Sequence, residues 1–264
     1  MHSKSPYLPS WENMRILSVK GEVARYAPAN CGVFCADSMN LRLLPAILLG
    51  LILLISACGP EPQIRSDTLL QDNSLITGEP CGPPCWRGII PGETTWNDAI
   101  AIIEDDVTLD ELQTRADDES DQIVAAWAQV DGDGCCQMIT QDGDTVSFLV
   151  LQTTPDMPLS GIIDFYGDPT YLIGELLSDS QGVFHLFYPE IPMLIYAFVT
   201  GEDGALSPES EVVGFGYMTD DLMQLVIDTA DPGLHTWEGY RSYKYYVDGE
   251  LEVTPSITVT PTPE

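Results

Sequence analysis

The chain has 264 residues and a formal net charge of -31, from 10 Lys+Arg against 41 Asp+Glu. That length allows one or two domains, and a hydrophobic content of 44% is enough to build a core. The acidity excludes a nucleic-acid-binding surface, because such a charge repels phosphates and anionic headgroups. The bases are unevenly spread. Lys4, Arg15, Lys20, Arg25 and Arg42 precede residue 58, and only Arg65, Arg87, Arg115, Arg241 and Lys244 follow it.

Residues 1–38 include Cys31 and Cys35 and show no clear periodicity. Their C-x-x-x-C spacing, with no second pair nearby, is a weak metal or redox signal. From Met39 the pattern changes. Arg42 supplies one base, residues 43–55 form an apolar run, and small residues lead to Cys58. This is the architecture of a signal peptide over residues 39–57, and its apolar run is short for a spanning helix, which needs roughly 20 residues.

Ile55-Ser56-Ala57-Cys58 resembles the bacterial lipobox, an aliphatic residue and two small residues before a cysteine. The resemblance implies a diacylglycerol on the Cys58 thiol, cleavage before Cys58, and acylation of the new N-terminus. The protein is then lipid-anchored in the cell membrane and faces outside the cytoplasm. Two or three acyl chains hold firmly where one is marginal. Because a signal peptide normally starts its chain, residues 1–38 read as an over-extended start, with a cytoplasmic tail as the alternative. Gly59-Pro60-Glu61-Pro62 opens a polar, helix-poor tether expected to span residues 58–80.

Beyond the tether, residues 81–157 and 158–250 carry similar patterns. Thr94-Thr95-Trp96-Asn97-Asp98 opens a helix, with Thr95 as N-cap and Asp98 in the capping-box position. Trp96, Ala99, Ile100 and Ile103 form its apolar stripe at i, i+3, i+4, i+7. The acidic run 104–121 reads as a solvated loop. Residues 123–130, 137–140 and 145–153 read as strands, and Gln141-Asp142-Gly143-Asp144 gives Asp-Gly turn chemistry for a hairpin. A second helix starts at Pro158, with a stripe of Leu159, Ile162, Ile163 and Tyr166. Gly167 is expected as its left-handed cap, and Pro169 blocks continuation. Strands follow over 171–177, 183–188, 193–199 and 211–218. Thr219-Asp220-Asp221 opens a third helix with Leu222, Leu225 and Val226 on its apolar side. Residues 237–247 read as a final strand or a loop covering the sheet edge, and residues 251–264 as a Thr/Pro-rich disordered tail.

The three stripes share one offset, which points to a duplicated unit. The expected class is therefore α+β: a tandem repeat of one helix followed by an antiparallel β-meander, with helices packed on one face of the sheet. Pro84-Cys85-Trp86-Arg87-Gly88-Ile89-Ile90-Pro91-Gly92-Glu93-Thr94-Thr95 resembles the opening of uncharacterised bacterial lipoproteins with a PCW-x-GI-x-PG-x-T signature. Gly88 to Thr95 and the helix after it are also similar to a helix start in the SmpA/OmlA small lipoproteins. Ile162-Ile163-Asp164-Phe165-Tyr166-Gly167-Asp168-Pro169 resembles a helix end of the same group. Tandem versions of such a unit occur in β-lactamase inhibitor proteins. The chain departs from the SmpA/OmlA pattern in acidity, length and extra strands, so the resemblance implies a fold type and a non-enzymatic habit and no particular partner.

Four cysteines follow Cys58: Cys81, Cys85, Cys135 and Cys136. An even count outside the cytoplasm points to two disulfides. Adjacent Cys135 and Cys136 close a tight ring, so the expectation is that the Cys81/Cys85 segment is stapled to the Cys135/Cys136 strand. Vicinal cysteines also suit tetrahedral zinc poorly. No cofactor or metal site is expected; Asp131-Gly132-Asp133-Gly134 hints at a calcium loop that the cysteines interrupt. His185 and His235 form no triad with a nucleophile, and no G-x-S-x-G, H-E-x-x-H or phosphate loop is present. The expected function is a binding module for an extracytoplasmic protein or wall component, with Trp237, Tyr240 and Tyr243 as contact residues. A carboxylate-dependent secreted hydrolase and a purely structural envelope protein are the alternatives.

Overall fold

The computed structural model describes residues 64–118, 120–230 and 233–249. The expected start or tail (1–38), the signal peptide, Cys58 and the Thr/Pro-rich tail lie outside the described residues. Among the described residues no helix is long and apolar enough to cross a membrane.

One nine-stranded antiparallel sheet organises the fold. In chain order its elements are helix α1 (Ser74–Thr77), α2 (Trp96–Asp105), strands β1 (Leu109–Ala116), β2 (Ile123–Gln129), β3 (Gly134–Thr140) and β4 (Phe148–Pro158). Then come α3 (Leu159–Tyr166), β5 (Tyr171–Leu176), β6 (Gly182–Tyr188), β7 (Met193–Val199), β8 (Glu211–Met218), α4 (Asp220–Thr229), β9 (His235–Thr236) and α5 (Tyr243–Asp248). The spatial order is β1-β2-β3-β4-β8-β7-β6-β5-β9. The class is thus α+β, with a few short helices beside an antiparallel sheet.

Residues directly opposite in a ladder share a face. One row crosses the sheet through Trp127, Cys136, Leu151, Phe215, Ile195, Leu186 and Leu172. A second runs through Ala125, Met138, Leu149, Tyr217, Met193 and Tyr188. All belong to one core cluster with Trp96, Ala99 and Ile103 of α2, Leu159 and Ile162 of α3, and Tyr243 and Tyr246 of α5. Each large side chain withdrawn from water in this way is worth about 1.5–3 kcal/mol. The alternate positions Val150, Val183, Phe187, Leu194, Tyr196 and Phe198 are buried too, outside that cluster. Burial on both faces is why β6, β7 and β8 read as near-continuous apolar runs.

The helix starts follow capping chemistry. Thr95 accepts from the Asp98 N–H and donates its own hydroxyl proton to the Asp98 carboxylate at 2.7 Å. Thr219 accepts from the Leu222 N–H, and Asp220 and Asp221 sit in the first turn, where the helix dipole favours them. Helix α3 begins one residue later than expected: Pro158 is the extended last residue of β4. The first α3 amides, of Leu159 and Ser160, donate to the carbonyls of Ser210 and Pro208. Gly167 has positive φ, but its ψ of -174° is not left-handed helical as expected. In α4 the buried residues are Leu222, Met223 and Val226, while Leu225 is exposed.

Two further sequence expectations are corrected. The polar tether does not reach Pro80, because Leu69, Leu70 and Leu75 are buried in the core. Leu70 bridges Thr153 of β4, and the Tyr166 hydroxyl donates to the Leu75 carbonyl. Three irregularly spaced leucines among polar residues give no periodic signal. The acidic run 104–121 is not all loop either, since it contains β1. That strand is an exposed edge with a register shift between Asp110 and Gln113 and a positive φ at Glu111. Bulges and charges of this kind protect sheet edges from further pairing, and they erase the alternation by which strands are recognised.

Candidate functional site

The cysteines pair locally. Cys81 is bonded to Cys85 and Cys135 to Cys136, with Cα–Cα distances of 5.6 and 3.7 Å. The expected staple between the two segments is therefore overturned. The reason lies in the β2–β3 register. Trp127 faces Cys136 while Ala128 faces Gly134, so Cys135 is an extra residue in a bulge. The bulge turns both cysteines into the core instead of onto opposite faces, and both are buried. Trp127 in turn meets Trp86 at 6.0 Å between ring centroids, next in sequence to Cys85. The Trp86 indole N–H donates to Asp72 at 2.9 Å, whereas the buried Trp127 N–H has no partner among the described residues.

The C-terminal aromatics divide. Tyr243 is buried against Phe184, 5.7 Å between centroids, and is core rather than contact surface. Gly174 makes this possible, because a Cβ there would lie 2.9 Å from the Tyr243 ring and 2.8 Å from Val247. Tyr246 is also buried. Its hydroxyl donates to the Gly239 carbonyl and accepts from the Glu238 N–H, and burial pushes its pKa up to about 12. Trp237 and Tyr240 stay half-buried and meet edge to face at 5.6 Å. Of the three expected contact residues, those two alone keep accessible surface, and they form one small patch.

His185 is buried, its Nε2 3.1 Å from a Glu175 carboxylate oxygen and its ring edge-to-face with Tyr196. Burial, and then the Glu175 charge, raise the Tyr196 pKa. His185 and Tyr196 are buried in the sheet, while the Glu175 side chain stays partly exposed beside them. Asp133 accepts from the Thr68 hydroxyl and its N–H donates to the Thr68 carbonyl, so the 131–134 turn is tied to the chain entering the fold. Among the described residues no three His, Cys, Asp or Glu side chains are placed to hold a metal.

Sequence reasoning missed Arg65. Its guanidinium donates to Glu211 at 2.8 Å and lies 4.7 Å above the Phe198 ring centroid. With Ser180, Gln181, Phe198 and Thr200 it lines an open groove of about 320 Å³. The available clue was scarcity: Arg65 is one of five bases after residue 57. No family model, curated protein or solved structure matches the chain.

Proposed function

We propose that this chain is a lipid-anchored extracytoplasmic lipoprotein whose folded domain is a binding module for a protein or another envelope component. The observation that carries the reading is Ile55-Ser56-Ala57-Cys58 at the end of an apolar run. Two local disulfides among the four later cysteines support an oxidising compartment. The half-exposed Trp237–Tyr240 pair is the contact patch of this reading, since aromatic side chains carry binding energy at little entropic cost.

The domain is, in the same reading, a duplicated unit. A helix followed by four antiparallel strands occurs twice, as α2-β1-β2-β3-β4 and α3-β5-β6-β7-β8. The last strands of the two sets, β4 and β8, pair at the centre of the sheet. That order supports a fused pair of SmpA/OmlA-like or β-lactamase-inhibitor-like units.

Intact mass spectrometry of the native protein tests the anchor. The expected species begins at Cys58 and carries a diacylglycerol and acyl adduct, with all four later cysteines oxidised. An unmodified chain still carrying the 39–57 segment would sink the reading. For the binding role, a cross-linking pull-down from the native envelope is expected to enrich a component that a Trp237→Ala/Tyr240→Ala variant loses.

A further inference from the structure

Strand direction sorts the turns of an antiparallel sheet onto two ends. The β2–β3, β5–β6 and β7–β8 connections lie at one end, and the β1–β2, β3–β4 and β6–β7 connections at the other. The chain enters the fold at the first of these ends. Arg65 is fixed on Glu211 and Phe198, beside the β5–β6 and β7–β8 connections. Thr68 is held by Asp133 in the β2–β3 turn. The two connections beside Arg65 are packed together, since a Cβ on Gly201 would lie 2.3 Å from the Asp179 carbonyl. Five residues separate Cys58 from Ile64. Fully extended, that stretch spans roughly 20 Å, less than the ~23 Å length of a seven-residue strand.

Charge points the same way. Of the five bases after residue 57, four lie at the entry end. Arg65 is bound to Glu211, Arg87 to Thr108 beside the end of β2, and Lys244 to Asp203 in the β7–β8 connection; the Arg241 carbonyl accepts from Leu206 in that same connection. The opposite end carries Asp117, Asp118, Asp121, Asp142, Asp144 and Glu190 in its turns, against Asp131, Asp133, Asp179, Glu202, Asp203 and Glu209 in the entry-end turns, so the two ends differ in their bases and not in their acids. An acidic protein tied to a phospholipid surface is repelled least through the end that holds its cations.

We propose that the end of the sheet formed by Arg65 and the β5–β6 and β7–β8 connections rests against the phospholipid headgroups of the bilayer that carries the anchor. This rests on the lipidation of Cys58. It turns the β1–β2, β3–β4 and β6–β7 connections away from the membrane, about one strand length out, toward partners.

The test uses the full chain, processed in a lipoprotein-competent bacterial host, with a fluorescent amino acid replacing exposed Asp179 at the entry end or exposed Glu190 at the far end. The purified lipidated protein is placed in phosphatidylcholine vesicles containing headgroup spin-labelled lipid. The expected result is quenching at least about twofold stronger at position 179, given an offset of one strand length. Equal quenching, or stronger quenching at position 190, in a chain whose mass confirms the acyl adduct would overturn the orientation alone. A chain with no adduct that fails to float with the vesicles would overturn the anchor and the orientation together.

Discussion

At the scale of single residues, two tyrosines facing the same core separate burial from hydrogen bonding. Tyr217 is fully buried, and its hydroxyl has no partner among the described residues. Burial, then the nearby Tyr166 and Asp72, raise its pKa, as expected of a hydroxyl kept from water. Tyr217→Phe removes a desolvated, unpaired group and is expected to be neutral or stabilising by up to about 1 kcal/mol. Tyr166 differs, because its hydroxyl donates to the Leu75 carbonyl and holds residues 74–77 onto α3. Tyr166→Phe is expected to cost about 1 kcal/mol. Urea midpoints of the two variants check the pair, and a large loss from Tyr217→Phe would mean that its hydroxyl is satisfied after all. Asp142 is the acid-sensitive position. Its carboxylate accepts the N–H of Thr145 and of Asp144 and the hydroxyl of Thr140, which hold its pKa down to about 2. A depressed carboxylate contributes stability that is full above its ordinary value of 3.8 and is lost as the pH falls toward about 2. Asp142→Ala is therefore expected to destabilise the protein at pH 7 and to match the parent near pH 2. A gap that persists in acid would place the effect in packing and not in the charge.

At the scale of elements, the cysteines carry a prediction that needs no assay of function. Trypsin cuts after Arg65, Arg87, Arg115 and Arg241, so Cys81 and Cys85 fall in one peptide and Cys135 and Cys136 in another. Without reductant the two peptides are expected to separate; a joined mass would restore the staple that the sequence suggested. Reduction of the intact protein should be mild for the same reason. Closing a loop of about five residues constrains the unfolded chain by about 2 kcal/mol, against about 4 kcal/mol for a loop of about fifty. The misreading shows what a sequence leaves out. A bulge is a property of two strands in register, and nothing in Gly134-Cys135-Cys136 alone says that Trp127 and Ala128 will face them unequally. Elements fixed by local chemistry were legible: the cap at Thr95, the helix start at Thr219, and β7 and β8 with the boundaries expected for them. Elements fixed by tertiary contact were not. Strand β1 is held by β2 rather than by its own alternation, and residues 64–80 are held by three leucines that find the sheet. The contact patch was half legible for the same reason. Composition marks an aromatic segment, but the small Gly174 on a strand far away in sequence decides that Tyr243 turns inward.

At the scale of the whole molecule, the sheet is continuous across the β4–β8 seam, where the backbones approach closely. A Cβ on Gly214 or Gly216 would lie 2.6 Å from the Leu151 carbonyl or 2.9 Å from the Leu149 carbonyl. The strands on either side share one core, so both halves feel any force that acts on the molecule as a whole. The largest such force is charge. A formal -31 makes the folded state repel itself, and compaction raises that cost relative to the unfolded chain. Salt has two opposed effects here. It weakens the ion pairs Arg65–Glu211, Arg87–Asp106 and Lys244–Asp203, whose side chains are at least partly exposed. Each such pair is worth only about 0.2–1 kcal/mol. Salt also shortens the screening length from about 30 Å at 0.01 M to about 10 Å at 0.1 M, which removes repulsion between acidic residues across most of the domain. The second effect acts on many more charges. Raising NaCl from 0.01 to 0.5 M is therefore expected to raise Tm, by about 4–8 °C if the relief is about 2 kcal/mol. Calorimetry over that range checks it, and sodium sulfate at matched ionic strength separates screening from preferential exclusion. A Tm that falls with NaCl would mean that the few cations, four of them gathered at the entry end, stabilise the fold more than the acidic surface opposes it.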